Sequence, residues 1–140
     1  MLLSLAIRDI VLIEGLDLEL GAGLTVLTGE TGAGKSILVE ALGLLLGARS
    51  SPDLVRTGAD AASVQAVFDD PAGAELILGR EVTVSGRSRA FLDGRLVPAT
   101  SLREAASRLV DLHGQHEHQA LLDPDTHLDL LDRFAEVTAA

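Results

Sequence analysis

The sequence has no cysteine, tryptophan or tyrosine, and it contains a single lysine. Without cysteine it can form neither a disulfide nor a thiolate metal site, which fits a reducing compartment such as the cytoplasm. No apolar run approaches the roughly 18 residues of a transmembrane helix, and residues 1–8 lack the basic region and cleavage site of a signal peptide. We therefore expect a cytoplasmic chain of one domain that has no membrane partner, with Leu, Val, Ile and Ala filling its core.

Acidic residues dominate the charge, which is −10 at pH 7. A surface of that sign opposes diffuse binding of nucleic acid by the whole chain. Residues 80–95 are the exception, because their arginines outnumber Glu81 and Asp93. This segment could contact a DNA backbone through Arg87 and Arg89. Alternatively, it is an exposed hairpin that uses arginine where other proteins use lysine.

The single lysine, Lys35, lies in a stretch of the form G-x-x-x-x-G-K-[ST], the phosphate-binding P-loop. The glycines let the backbone turn tightly, so that successive N–H groups point at phosphate oxygens. We predict that Lys35 reaches the β- and γ-phosphates and that Ser36 coordinates Mg²⁺. The alternative is a chance match in a glycine-rich chain. The predicted ATP contacts are Gly29, Glu30, Thr31, Gly32, Ala33, Gly34, Lys35, Ser36 and Ile37.

The apolar pattern around the motif predicts the strand–loop–helix order that a P-loop requires. A short buried strand is predicted at Leu24–Thr28, and an interior helix at Lys35–Leu46 with Gly47 as its C-cap. Upstream, apolar and alternating residues predict strands at Leu2–Ile13 and Leu16–Leu20.

Strands also dominate the middle of the sequence, after a predicted loop over residues 48–62. Two hairpin turns are predicted at Ser85-Gly86 and Asp93-Gly94. A helix then runs to Arg108, capped by Thr100 or Ser101, with Glu104 completing a capping box. The remaining predicted elements are strands at Ser63–Phe68, Glu75–Val84, Ser88–Leu92 and Leu109–Leu112, and a last helix from Pro124.

A histidine-rich block after Leu112 allows three interpretations. His113, His116 and His118 could form a metal site, although Gly114 interrupts a helix there. The block could instead be a solvated polar loop. In the third interpretation Gln115 contacts Mg²⁺ and positions the attacking water.

Two further arginines follow the P-loop helix. Arg49 or Arg56 could reach phosphate or DNA, or could simply lie on the surface. Two further patterns are too weak to be assigned as a Walker B motif or an ABC signature loop. The apolar run before Asp111 is too short for a Walker B strand, and Val84–Arg87 opens no helix, as an ABC signature loop would.

Together these motifs resemble the N-terminal half of the head of SMC-like ABC ATPases, and in particular a bacterial DNA-repair branch of that family. The resemblance implies an α/β fold, with a mixed sheet around the P-loop helix and an antiparallel β lobe from residues 63–97. It also implies that Gln115 occupies the Q-loop position, as a Mg²⁺ ligand and a catalytic residue beside Lys35. The matching blocks are Leu12-Ile13-Glu14, residues 23–36, residues 86–94 and residues 109–119.

The resemblance further implies that the active site is only half present. In this family a C-terminal lobe carries the signature motif, Walker B and the catalytic glutamate, and two heads enclose ATP between them. Residues of about 125–140, with Leu128, Leu131 and Phe134, would be the root of the intervening coiled coil. The implied cofactors are ATP and Mg²⁺. The implied activity is ATP hydrolysis that acts on DNA in double-strand-break repair and recombination.

The rival hypothesis is a self-sufficient P-loop enzyme, such as a nucleotide kinase, with Asp111 as its Walker B acid. It predicts steady turnover by this chain alone, whereas the half-site hypothesis predicts weak ATP binding and almost no hydrolysis. Steady-state hydrolysis by the isolated chain separates them. Turnover that Asp111→Asn abolishes would contradict the half-site hypothesis.

Overall fold

The computed structural model describes residues 1–30, 34–69, 72–110 and 112. The predictions for Gln115, for the histidine-rich block, for the helix from Pro124 and for the coiled-coil root lie outside the described residues. So do Thr31, Gly32, Ala33 and Asp111.

Six strands form a single sheet in the order β2-β1-β3-β4-β5-β6, and every pair of neighbours is antiparallel. The antiparallel lobe predicted for residues 63–97 is therefore confirmed, and the first two strands of the chain extend it. The strands are β1 Leu2–Ile10, β2 Ile13–Glu19, β3 Ala61–Asp69, β4 Glu75–Thr83, β5 Ser88–Leu92 and β6 Arg95–Val97.

Two helices pack on one face of this sheet, α1 at Lys35–Leu45 and α2 at Ala99–Ser107, and a short 3-10 turn lies at Pro52–Leu54. The alternation in β3 shows why: Ala62, Val64, Ala66 and Phe68 are buried and the residues between them are more exposed. Leu45 and Leu102 from the two helices join the same core. The α/β class expected from the sequence is thus confirmed.

The predicted turns are also confirmed. Leu46 is the C-cap of α1, one residue before the predicted Gly47, and Gly47 follows it in the left-handed conformation, with φ of 87°. Asp93 and Gly94 both have positive φ, at 49° and 75°, which is the mirror-image turn that matches the twist of a hairpin. The sequence predicts these turns because their left-handed backbone conformation favours glycine and aspartate.

The prediction of one strand over Leu2–Ile13 is wrong, because the chain turns at Val11–Leu12 and Ile10 pairs with Ile13. The turn contains neither glycine nor proline. Val11 adopts φ of 49°, an outlier for a β-branched residue that costs about 1–3 kcal/mol. A neighbouring segment holds this conformation: Val11 N donates to Leu54 O at 2.9 Å, and Arg56 N to Asp9 O at 2.8 Å.

The prediction of a buried strand at Leu24–Thr28 is also wrong for this chain. The segment forms no strand, and Leu24, Val26 and Leu27 are 92%, 70% and 52% exposed. A strand needs neighbours that accept and donate its backbone hydrogen bonds. Among the described residues, no strand lies beside this segment.

Two smaller predictions near the second helix need correction. Helix α2 begins one residue after Pro98, and no side chain caps it. Ser101 instead lies within the first turn, where its N–H donates to Pro98 O at 3.1 Å, so the capping box is not formed. Leu109 and Val110 continue in turns that bond back to Ala106 O rather than forming a strand.

Arg80 is a charged residue in the sheet core. It lies on β4 between Val64 and Ala90, on the face that the helices cover, and is 7% exposed. Its Nε donates to Ser88 Oγ at 2.7 Å, whereas no residue of the described part accepts a hydrogen bond from its buried Nη1. Burial lowers the pKa of the Arg80 guanidinium, because the charged form loses solvation.

We predict that Arg80→Met leaves the free energy of unfolding unchanged or raises it by up to about 4 kcal/mol, because a buried unpaired donor is removed while the aliphatic volume is kept. Ser88→Ala should lower it by about 1–3 kcal/mol, because it strips the guanidinium of a hydrogen bond. Urea unfolding of both variants provides the measurement. A larger loss for Arg80→Met than for Ser88→Ala would contradict this assignment.

Candidate nucleotide-binding site

The N-terminus of α1 is the centre of the candidate site. Gly34 precedes the helix with φ of 93°, a left-handed conformation that other residues adopt only with strain. The first helical bond runs from Leu38 N to Gly34 O, at 3.1 Å. The N–H groups of Lys35, Ser36 and Ile37 therefore have no partner within the helix. Such free donors, together with the helix dipole, favour an anion.

The predicted phosphate-binding side chains are at the same place. Lys35 and Ser36 are the first two residues of α1, and both are exposed. The Lys35 ammonium donates to Gly29 O, so that it links the two ends of the loop. Gly29, Gly34, Lys35 and Ser36 are thus brought together as the motif predicts. Ile37 is also in this turn, but its side chain is buried in the core.

Ile13, which follows the β1–β2 turn, lies near Gly34 at the end of the loop. The Cδ1 of Ile13 is 3.9 Å from the position that a Cβ on Gly34 would take, which is ordinary contact distance. Ile13 is the first residue of β2 and is partly buried against the core. The apolar side chain is therefore near the backbone just before the helix.

Arg56 lies behind that turn and contacts two acids. Its Nη2 is 3.3 Å from Glu14 Oε2, and its Nη1 is 3.7 Å from Asp9 Oδ1. The sequence did not indicate these partners, since Glu14 is 42 residues away. Arg49 is exposed and forms no ion pair with any described residue.

The arginine-rich segment is less basic than its composition suggests. Arg80 is buried, and Arg89 pairs with Glu81 at 3.4 Å. Arg87 and Arg95 are exposed and make no ion pair within the described residues. As far as the described residues show, the hairpin therefore presents two unpaired cations rather than four.

Other candidate sites are weaker. A shallow depression of about 400 Å³ lies over Gly79 on the sheet, but its lining includes no residue of the P-loop. Within the described ranges, no cluster of His, Asp and Glu is suited to a metal. The metal interpretation of His113, His116 and His118 concerns residues outside them. None of the helices described is long and apolar enough to cross a membrane.

A family model described as an AAA domain matches residues 4–95. The chain is also similar to curated relatives named DNA repair protein RecN. That of Halalkalibacterium halodurans is 46% identical, over 96% of this chain and 27% of the relative. That of Vibrio cholerae is 42% identical, over 96% and 27%. The chain thus spans about a quarter of the length of these relatives.

A solved structure shares the fold. It is described as "Structural biochemistry of ATP-driven dimerization and DNA stimulated activation of SMC ATPases". The TM-score is 0.71 at 21% identity, and the match covers 95% of this chain and 98% of that one. At this identity the likeness concerns the fold alone.

We predict that Lys35→Ala weakens ATP binding by about 10- to 100-fold, because a hydrogen bond to a charged group contributes about 1.5–3 kcal/mol. Equilibrium binding of ATP provides the measurement. Arg95→Ala is the matched control, since it also removes one exposed cation. Equal affinities for the two variants would contradict the site, and the midpoint of thermal unfolding should change little in either.

Proposed function

This chain belongs to the AAA-domain family, and from that membership we propose that it is the ATP-binding lobe of an SMC-like, RecN-type ATPase in DNA repair. The observation that carries the proposal is the exposed N-terminus of α1. The left-handed Gly34, the N–H groups without helical partners and Lys35, whose ammonium donates to Gly29 O, all belong to this end of the helix. The whole enzyme hydrolyses ATP, and this lobe by itself only binds it.

The chemistry of the site fits a nucleoside triphosphate with Mg²⁺. Backbone N–H groups from Gly29 to Ile37 cradle the phosphates, and the Lys35 ammonium exchanges its bond to Gly29 O for phosphate oxygens. The Ser36 hydroxyl is a suitable ligand for Mg²⁺. Lys35 then stabilises the charge that develops during transfer. Gln115 completes this set as the second Mg²⁺ contact and the residue that positions water, and it stays a prediction.

The partner that completes the active site is the C-terminal lobe of the same protein, with the signature motif and Walker B. The exposed segment at Leu24, Val26 and Leu27 supports this proposal. Its side chains are apolar and its backbone pairs with no described strand, which suits a strand added beside it. Fully burying one such side chain contributes about 1.5–3 kcal/mol. Val39 of α1 is a further exposed apolar side chain, at 45%.

The remaining partners are a second head and DNA. Two heads would enclose ATP between them, and the description of the SMC structure speaks of ATP-driven dimerization of those proteins. Arg49 and Arg87 suit a DNA backbone best, because neither forms an ion pair with a described residue. Arg56 and Arg89 stay candidates for the same role, although carboxylates already lie beside them. We place the protein in the cytoplasm, associated with the nucleoid.

The domain organisation is part of the proposal. Residues 1–140 form the N-terminal lobe, and residues of about 125–140 begin the coiled coil that leads to the other lobe. The rival of a self-contained nucleotide kinase with Asp111 as its acid is not favoured by the relatives, which are DNA repair proteins.

Reconstitution tests the proposed function. We expect the chain alone to show almost no ATPase activity, and addition of the C-terminal half of its protein to restore turnover that DNA stimulates. Val26→Asp should prevent restoration, because it places a charge on the surface that the other lobe buries. Leu96→Asp, on the remote strand β6, is the matched control. Restoration by Val26→Asp as complete as by wild type would contradict the composite site.

A further inference from the structure

We propose that the Ser88 hydroxyl contacts a phosphate of the DNA backbone, and that the buried Arg80 is the positioning residue that orients and polarises this hydroxyl. The inference rests on the proposed DNA partner, and it assigns the contact to a residue other than the exposed arginines. It starts from a buried cation. Arg80 is 7% exposed and forms no ion pair with any described residue.

The strand register brings Arg80 to an exposed serine. Arg80 on β4 lies opposite Ala90 on β5, and Ser88 lies opposite Val82, so that the four side chains are on one face of the sheet. Val82 and Ala90 are buried, whereas Ser88, the first residue of β5, is exposed. Ser88 is therefore the exposed residue to which the buried guanidinium is bonded.

The direction of this hydrogen bond determines what Ser88 can still bind. The Nε of Arg80 donates to Ser88 Oγ at 2.7 Å, so the hydroxyl oxygen accepts and its hydrogen is left to donate. No described residue accepts that hydrogen. Donation from a charged group polarises the hydroxyl and makes it a stronger donor. An exposed donor beside a buried cation favours an anionic acceptor.

The neighbouring charges favour a phosphate as that anion. The buried Nη1 of Arg80 has no acceptor in the described part of the chain. Arg87, directly before Ser88, is exposed and has no ion-pair partner there. Serine hydroxyls and arginines are common contacts of the DNA backbone. Arg89 differs, because it lies on the other face of β5 and pairs with Glu81 at 3.4 Å.

The experiment measures binding of duplex DNA by the full-length protein that contains this chain, well below its unfolding midpoint. Ser88→Ala should weaken binding by about 2- to 12-fold, the range that one net hydrogen bond contributes. Ser88→Thr keeps the hydroxyl and should retain most of the affinity. Ser85→Ala is the matched control, since it removes an exposed hydroxyl of the same hairpin that is bonded to Thr83 and not to Arg80.

Arg80→Met tests the positioning role. It should weaken DNA binding at least as much as Ser88→Ala, although we expect it not to lower the free energy of unfolding. The double variant should bind no more weakly than Arg80→Met alone, because Ser88 depends on the same guanidinium. Losses that add in the double variant would show that Arg80 does not act through Ser88.

The salt dependence of binding identifies the kind of contact. The slope of log K against log salt reports the number of phosphates that cations neutralise, at about 0.9 per phosphate. Ser88→Ala should therefore weaken binding without changing the slope, since the hydroxyl is neutral. A slope that falls by about 0.9 in Ser88→Ala would mean that a cationic contact is lost instead, and would overturn the assignment.

Two further outcomes would contradict the inference. One is equal DNA affinity of Ser88→Ala and Ser85→Ala. The other is that Ser88→Ala weakens association with the C-terminal half while DNA binding stays unchanged, which would assign the hydroxyl to an acidic segment of that half. Should Ser88→Ala fail to fold, Arg80→Met decides, because DNA affinity equal to that of wild type would overturn the proposal.

Lys35→Ala separates failure of this inference from failure of the proposed function. If Lys35→Ala abolishes ATP binding and the wild-type protein binds duplex DNA, while Ser88→Ala behaves like Ser85→Ala, only the role of Ser88 is wrong. If ATP binds equally well after Lys35→Ala, the proposed function itself fails. If the wild-type protein binds no duplex, the proposed DNA partner and this inference fail together.

Discussion

The unsatisfied N–H groups at the start of α1 are the constraint on which the candidate site depends. A helix leaves its first donors without partners, and burying them unpaired would be costly. Here Gly34 precedes the helix in the left-handed conformation, and Lys35 and Ser36, which carry two of these donors, are exposed. The buried residues Ile37, Ala41, Leu44 and Leu45 fix the helix on the sheet and thereby fix the direction of those donors.

The surroundings of the P-loop differ between its two sides: one side has an apolar neighbour, and the other is exposed. On the supported side, the Ile13 side chain lies 3.9 Å from the position that a Cβ on Gly34 would take. On the bare side, Leu24 and Val26 lead into the loop while largely exposed. An exposed apolar segment directly before a phosphate-binding loop suits a sheet to which another lobe adds a strand. The asymmetry fits a lobe that binds ATP and obtains its hydrolytic groups elsewhere.

The sequence predicted most where one residue type suits one backbone geometry. The glycines around Lys35, the Asp93-Gly94 turn and the alternation of β3 are of this kind. It failed at Val11, because a turn built from β-branched and aliphatic residues has the composition of a strand. It failed at Leu24–Thr28, because periodicity reports a preference for pairing and not whether a neighbour is present. The Arg56–Glu14 ion pair could not be predicted from the sequence, since 42 residues separate its two members.

The central claim is that the P-loop belongs to a composite site whose sheet is completed by another part of the protein. Hydrogen exchange at the backbone amides of residues 24–28 tests it most directly. In the isolated chain we predict fast exchange there, while the amides of β3 are protected. In the full-length protein the same amides should become protected as an added strand pairs with them. Equally fast exchange in both proteins would contradict the account.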